Sequence, residues 1–360
     1  MANSIFNFLK PINNIKIIKN ETIGEELIKT SVNLKNLLKK NNFIENKYVI
    51  IGVPDDRGVK ANLGHPGADK GPSLFRSCFY NLYDNFIFDK NSFRNQNKNK
   101  ISQNFVDVGD IILSDSIEET HENLAKVVEF FLKLNPKLIF VIGGGHDFSY
   151  GSYKGHVNAK KGQVIPIINF DAHLDLRPVI DNQINSGTAF HRIIQDFKNN
   201  IINGNALLEI GIQRERNPYS LYEFALQHNI KIIEYTALSN VWKVFNGEKG
   251  QAPLEHIRDH IDTCANLGFD RYNGSLHFSL CLDVFDQSIA PGTSASTPFG
   301  AQFRDLAPSF SFLAKFRACR VMDIAELCPA RDTFEMTSRL CASLVYRMVI
   351  LKEEYSNALR

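Results

Sequence analysis

The 360-residue sequence has no apolar run approaching the roughly 20 residues that a membrane-spanning helix needs. It also lacks an excess of charge. Its 41 Lys and Arg against 39 Asp and Glu leave a formal net charge of +2, which gives no argument for nucleic acid as a partner. The most basic run, LKNLLKKNN (34–42), is short and helical in pattern, as expected of a solvated helix face. Its six cysteines include no CxxC pair and no framework spacing. The opening stretch MANSIFNFLKPINN is broken by Lys10 and Pro11 before it could serve as an export signal. These absences predict a cytoplasmic, reduced setting, with neither membrane nor nucleic acid as partner. No internal repeat and no domain linker is visible.

Eight short apolar runs are present: 47–53, 104–109, 137–143, 163–170, 205–212, 230–235, 276–284 and 319–327. They are continuously apolar rather than alternating, which suits strands covered on both faces of a parallel sheet. Amphipathic segments at 116–134, 218–228, 252–264, 304–316 and 333–350 read as helices. Alternating β and α elements predict an α/β fold with a mostly parallel sheet and helices on both faces. Residues 1–45 read as a partly helical N-terminal arm, and 46–360 as a single catalytic domain. The polar stretch 92–104 is expected to be a surface loop.

Ligands in open α/β sheets bind beyond the carboxyl ends of the strands. Three predicted strand ends carry polar clusters. VIGGGHDFSYGS (141–152) combines a glycine turn with His146 and Asp147. On its own this is also compatible with an ordinary capped turn. NFDAHLDLR (169–177) is more specific. Asp171, His173 and Asp175 stand at i, i+2 and i+4, so extended backbone turns all three to one side. Such crowded ionisable groups are badly solvated without a cation between them. SLCLDVFDQSIAPGTS (279–294) brings Asp283 out of an apolar run in the same way. Together, His146, Asp171, His173, Asp175 and Asp283 suffice for two divalent ions sharing carboxylates. The oxygen-rich donor set favours Mn²⁺, with Zn²⁺, Co²⁺ and Ni²⁺ left open.

GGGHD, DAHLD and SLCLDVFDQSIAPGTS resemble, in order and approximate separation, the three metal motifs of the ureohydrolase (arginase/agmatinase) family. The resemblance runs from about residue 47 to about 350. It implies a three-layer α/β/α sandwich around a sheet of about eight strands, two Mn²⁺ per chain and a homo-oligomer. Within the family, GVKANLGHPGADKGP (58–72), DLR (175–177), NSGTAF (185–190) and GIQRERN (211–217) are similar to the formimidoylglutamase branch. That branch hydrolyses N-formimidoyl-L-glutamate to L-glutamate and formamide in histidine degradation. The runner-up within the same chemistry is an agmatinase or another guanidino-acid ureohydrolase.

The resemblance assigns His146, Asp171 and Asp175 to one ion, and Asp171, His173 and Asp283 to the other. It implies attack by a metal-activated water on the formimidoyl carbon, with Asp175 moving the proton and Glu326 holding the cationic amidine. Arg177, Ser186 and Asn217 are expected to contact substrate, with Gln213 and Arg214 as weaker candidates. Arg177 equally suits a structural ion pair, and Glu326 a strand-end salt bridge. His191 is a candidate proton shuttle. Two departures stand out. His65 replaces an arginine usual in the branch, and Cys281 occupies the place of an aspartate that normally bridges both ions. Cys281 reads as a buried apolar side chain, as a thiolate ligand shifting preference toward Zn²⁺ or Fe²⁺, or as a redox site. The first option would leave one ion weakly held, and motivates a reading as a metal-depleted, non-catalytic relative.

Overall fold

Val, Ile, Leu and Phe fill the apolar runs, side chains suited to an enclosed pleated surface. The computed structural model of the chain describes residues 2–12, 15–18, 21–39, 42–88, 95–238 and 253–358. All eight runs form strands in it. A nine-stranded sheet comprises β1 Leu9–Lys10, β2 Tyr48–Val53, β3 Phe105–Ile111, β4 Leu138–Gly143, β5 Ile167–Phe170, β6 Leu207–Ile212, β7 Lys231–Glu234, β8 Leu276–Cys281 and β9 Cys319–Ala325. Their order is β1-β3-β2-β4-β9-β8-β5-β6-β7. Every pairing is parallel except that of β1, which runs antiparallel to Asp110 and Ile111 at the edge of β3. This ninth strand belongs to the N-terminal arm and has two residues, too few for any periodicity to mark it.

The longer helices are α1 Ile23–Val32, α2 Gly71–Phe79, α3 Ile117–Lys133, α4 Ser149–Ala159, α5 Ala189–Asp196, α6 Tyr219–Gln227, α7 Pro253–Asn266, α8 Phe303–Lys315 and α9 Met336–Ala358. The five expected helices correspond to α3, α6, α7, α8 and α9; residue 252 lies outside the described residues. Successive residues of β2 show how helices come to cover both faces. Ile50 packs in a cluster with Phe75 and Phe79 of α2, Phe310 of α8 and Val345 of α9. Its neighbours Val49 and Ile51 pack with Leu124, Val128 and Phe131 of α3. The result is the three-layer α/β/α arrangement. No helix among the described residues is long and apolar enough to cross a membrane.

The loop expected at 92–104 needs correction. Asn95–Lys100 pairs antiparallel with Phe86–Phe88, and Ile101–Asn104 forms a 3₁₀ turn with Ile101 and Ser102 buried. Residues 92–94 lie outside the described residues. Strand pairing is made by backbone groups, so a polar run with no hydrophobic period can still enter a ladder. In the basic run, Leu34 is buried while Lys35 and Asn36 are exposed, and residues 40 and 41 lie outside the described residues.

β4 and β5 are consecutive in sequence but separated in the sheet by β9 and β8. The strand order therefore reverses at the centre, where a crevice opens beyond the carboxyl ends.

Candidate metal centre

Four adjacent central strands, β4, β9, β8 and β5, deliver the polar residues into that crevice. After β4 the chain turns through Gly144, where an added Cβ would lie 1.9 Å from the Asp55 carbonyl oxygen. Only glycine permits this approach, and it brings His146 back over the sheet. Leu280 of β8 is level with Phe170 of β5, so Asp171 and Cys281 emerge at the same height. Cys281 is in turn level with Ala325 of β9, and Glu326 follows it. Asp175 and Glu326 hold left-handed backbone, at φ 48° and 66°. Such strain in non-glycine residues is found where the surrounding structure imposes it, commonly at functional sites.

The side chains converge closely. His146 Nδ1 lies 2.8 Å from Asp171 Oδ2 and 2.9 Å from Asp175 Oδ2. His173 Nδ1 lies 3.1 Å from Asp283 Oδ2 and 3.5 Å from Asp171 Oδ1. Asp171 Oδ1 also accepts the backbone N–H of His173 at 2.7 Å. Yet His146 Nδ1, Asp171 Oδ2 and Asp283 Oδ1 are buried and make no aligned hydrogen bond among the described residues. Donor atoms of His146, Asp171 and Cys281 all lie within 4.8 Å of one another, as do those of Asp171, His173 and Asp283. Asp171 is common to both groups. Buried, unsatisfied donors of this kind fit a pair of cations sharing Asp171.

The electrostatics agree. Burial opposes charge on His146, but Asp171 and Asp175 raise its pKa well above the usual imidazole range. His173 is raised likewise, against burial, chiefly by Asp283. Burial and the charge of Asp171 push Asp175 up to about 6 and also raise Asp283. Burial pushes Glu326 up to about 8, with Asp283 adding to it. Asp171 is the exception: burial acts upward, but His146 and His173 outweigh it and hold its pKa low. Among protein groups alone, these carboxylates obstruct one another's ionisation.

A cavity of about 380 Å³ opens above this cluster. Of the residues singled out by sequence, Asp171, His173, Asp175, Arg177, Ser186, Asn217, Cys281, Asp283 and Glu326 line it, as does exposed His65. His146 lies beneath, against Asp171. Arg177 makes no ion pair among the described residues, so the structural pairing open to it is not formed. Ser186 Oγ accepts from Asn62 Nδ2 at 3.0 Å. Asn217 is committed to the backbone: its amide holds Leu174 N–H at 2.8 Å and the Ala172 carbonyl at 3.0 Å, bracing the DAHLD segment.

Three candidates do not face the cavity. Gln213 bonds Thr297 Oγ1 and the Phe299 carbonyl, and Arg214 pairs with Glu234. His191 is turned to the Leu176 carbonyl at 3.1 Å and stacks on Phe224. Their direction from the backbone was not encoded in spacing. Conversely, Arg216 and Arg331 line the cavity without having been anticipated. Arg216 adjoins Arg214 in the same RER run, and only the fold shows which of the two turns inward.

The sequence profile of the arginase family matches residues 46–351. The chain belongs to the arginase family. Formimidoylglutamase of Clostridium tetani is 29% identical over 311 residues, 84% of this chain and 82% of that protein. Formimidoylglutamase of Lysinibacillus sphaericus is 30% identical over 302 residues, 82% of each. In fold, this arginase-family chain is similar to the crystal structure of Trypanosoma cruzi formiminoglutamase with Mn²⁺. The TM-score is 0.69 at 24% identity, over 85% of this chain and 93% of that one.

Proposed function

We propose that this arginase-family chain is a metal-dependent hydrolase that converts N-formimidoyl-L-glutamate and water to L-glutamate and formamide. The observation that carries the substrate class is the gradient of charge along the cavity. Its deepest lining is acidic, with Asp171, Asp283 and Glu326 buried. Arg177 and Arg331 are exposed and Arg216 half-buried, and all three border the same space. A substrate with a cationic amidine at one end and two carboxylates at the other fits that polarity, since guanidinium groups grip carboxylates in bidentate fashion. Agmatine would place an ammonium among the arginines instead. The names of the related proteins support the same choice.

His146, Asp171 and Asp175 would hold one divalent ion, and Asp171, His173 and Asp283 the other, with Mn²⁺ the first candidate. Bound there, the ions would supply Lewis acidity and a water of near-neutral pKa. Asp175, which contacts His146 and lines the cavity, would take a proton from water and pass it to the departing glutamate nitrogen. Glu326 accepts the His146 backbone N–H at 2.8 Å through Oε1, and from the cavity wall its carboxylate would hold the amidine. Ser186 and Arg177 would bind substrate, while Asn217 acts through the loop it braces. Cys281 faces His146 and Asp171 rather than the apolar core, which favours its thiol as a further ligand over a plain buried side chain.

Purified protein loaded with Mn²⁺ should release glutamate from N-formimidoyl-L-glutamate, and turn over agmatine and arginine at far lower kcat/KM. Absence of turnover on all three, with fewer than two ions per chain, would leave the non-catalytic reading in its place.

A further inference from the structure

Directly below the donor atoms, the sheet carries a row of polar side chains. Glu209 of β6 is level with Asn169 of β5, Asn169 with Ser279 of β8, and Ser279 with Asp323 of β9. All four are 0% exposed, at the centre of strands that are otherwise apolar. Side chains on one sheet face repeat every two residues, so Asp171 and Cys281 are the next residues up on the same face. Burying four polar groups side by side costs stability unless each finds a partner.

The two ends of the row are tied down. Asp323 accepts from Ser152 Oγ of α4 at 2.7 Å and pairs with His277 Nε2 at 2.7 Å. Asn169 Nδ2 donates to Glu209 Oε2 at 2.7 Å. The middle member, Ser279, has its Oγ 2.8 Å from His146 Nε2. His146 turns its other nitrogen, Nδ1, toward Asp171 and Asp175.

A histidine can ligate a cation through Nδ1 only as the neutral tautomer with hydrogen on Nε2, and that hydrogen needs an acceptor. Ser279 Oγ is in place to accept it. Asn169, level with Ser279 on the neighbouring strand, commits its amide nitrogen to Glu209, and its Oδ1 accepts no hydrogen bond from Ser279. We propose that Ser279 is a positioning residue that holds His146 in the Nε2–H tautomer and aims Nδ1 at the metal. This rests on the metal centre proposed above and adds the buried serine that orients one of its ligands.

The test is a titration of the metal-free full-length chain with Mn²⁺, following free Mn²⁺ by electron paramagnetic resonance. Ser279→Ala should weaken one of the two ions about 10- to 100-fold, as loss of a partner outside the ligand set does elsewhere. Ser279→Cys, similar in size and a weak acceptor, should fall between. Ser152→Ala removes a hydroxyl from the same layer without touching His146, and should leave both affinities unchanged. Unfolding midpoints of the metal-free variants separate binding from folding. Unaltered affinities in Ser279→Ala would overturn the proposal alone, as would an equal loss in Ser152→Ala. Failure of the unsubstituted chain to bind two ions would overturn the metal centre as well.

Discussion

Two buried charge clusters lie in this molecule, and they are built on opposite plans. In the first, Arg76 Nε and Nη2 bond both oxygens of Asp107 at 2.8 and 3.0 Å, and Nη1 bonds Asp110. Tyr80 donates to Asp107 at 2.9 Å. Both carboxylates bond the one guanidinium directly, and Arg76 is held firmly protonated against burial by Asp107 and Asp110. In the second, the carboxylates meet only imidazoles, several atoms lack a hydrogen bond, and acids are pushed above their usual range. The first cluster is complete as protein and reads as structure. The second leaves buried donor atoms that cations would fit, which is a more specific signal of function than burial or charge alone.

The largest effects should separate these two plans. Asp171→Asn removes the carboxylate shared by both donor groups and should abolish binding of at least one ion. Lewis-acid assistance is worth several kcal/mol, so the rate should fall roughly a thousandfold, about 4 kcal/mol. Asp107→Asn should do the reverse. It leaves Arg76 poorly paired in the interior, at about 3–5 kcal/mol of stability, with metal stoichiometry unchanged. Metal analysis and denaturant unfolding on both variants check the crossing. If Asp107→Asn lost metal while keeping its stability, the distinction would collapse.

A smaller effect should appear with pH. Asp175 and Glu326 have pKa values raised to about 6 and about 8 from ordinary values of 3.8 and 4.5. A raised acid supports the metal-free fold below its ordinary pKa, and that support is lost as pH rises through 6 and then 8. Cations would displace the proton of Asp175 as a ligand and, through their charge, favour loss of that of nearby Glu326, so affinity should climb over the same window, about tenfold per unit for each proton released. The rise in melting temperature on adding Mn²⁺ should therefore be small at pH 5.5 and large at pH 8. A constant rise would show that the carboxylates bind the cation without giving up protons.

How much of this could be read from sequence follows the same division. The Asp-x-His-x-Asp spacing is local, so Asp171, His173 and Asp175 were legible, as were the strands that end beside them. Hydrophobic periodicity marks burial and therefore found all eight long strands. It missed β1 and the hairpin strand Asn95–Lys100, which are defined by backbone pairing. Asn169, Ser279, Glu209 and Asp323 are each a lone polar residue in an apolar run. Only register between strands far apart in sequence makes them a row. Arg216 and Arg331 were missed because the direction of a side chain leaving a loop is a property of the fold.

The rim arginines extend the comparison. Arg76 is fully engaged by its partners, whereas Arg177 and Arg331 make no ion pair among the described residues although they border the cavity. Charge-assisted bonds are worth about 1.5–3 kcal/mol, so Arg177→Ala or Arg331→Ala should raise KM roughly 10- to 100-fold. Changes in kcat should be smaller, because these groups lie away from the reacting carbon. Steady-state kinetics on formimidoylglutamate decide it, and unchanged KM in both variants would remove the carboxylate grip from the assignment.

The smallest expected effect falls on the residue that blurs the comparison. Cys281 is as buried as the core leucines on either side of it, yet its sulfur stands within 4.8 Å of the proposed donor atoms of His146 and Asp171. Burial and the charges of Asp171 and Asp283 raise its pKa well above the usual thiol range, so as a protein group it stays protonated. A cation would reverse that, because coordination deprotonates a thiol outright. If the sulfur ligates, Cys281→Asp should shift preference from Zn²⁺ toward Mn²⁺, and Cys281→Ala should weaken Zn²⁺ more than Mn²⁺. The Co²⁺-loaded chain should show a sulfur-to-metal charge-transfer band that both variants lose. Should Cys281→Ala keep both affinities and the spectrum, the sulfur is filler. The donor set then narrows to His146, Asp171, His173, Asp175 and Asp283, without thiolate.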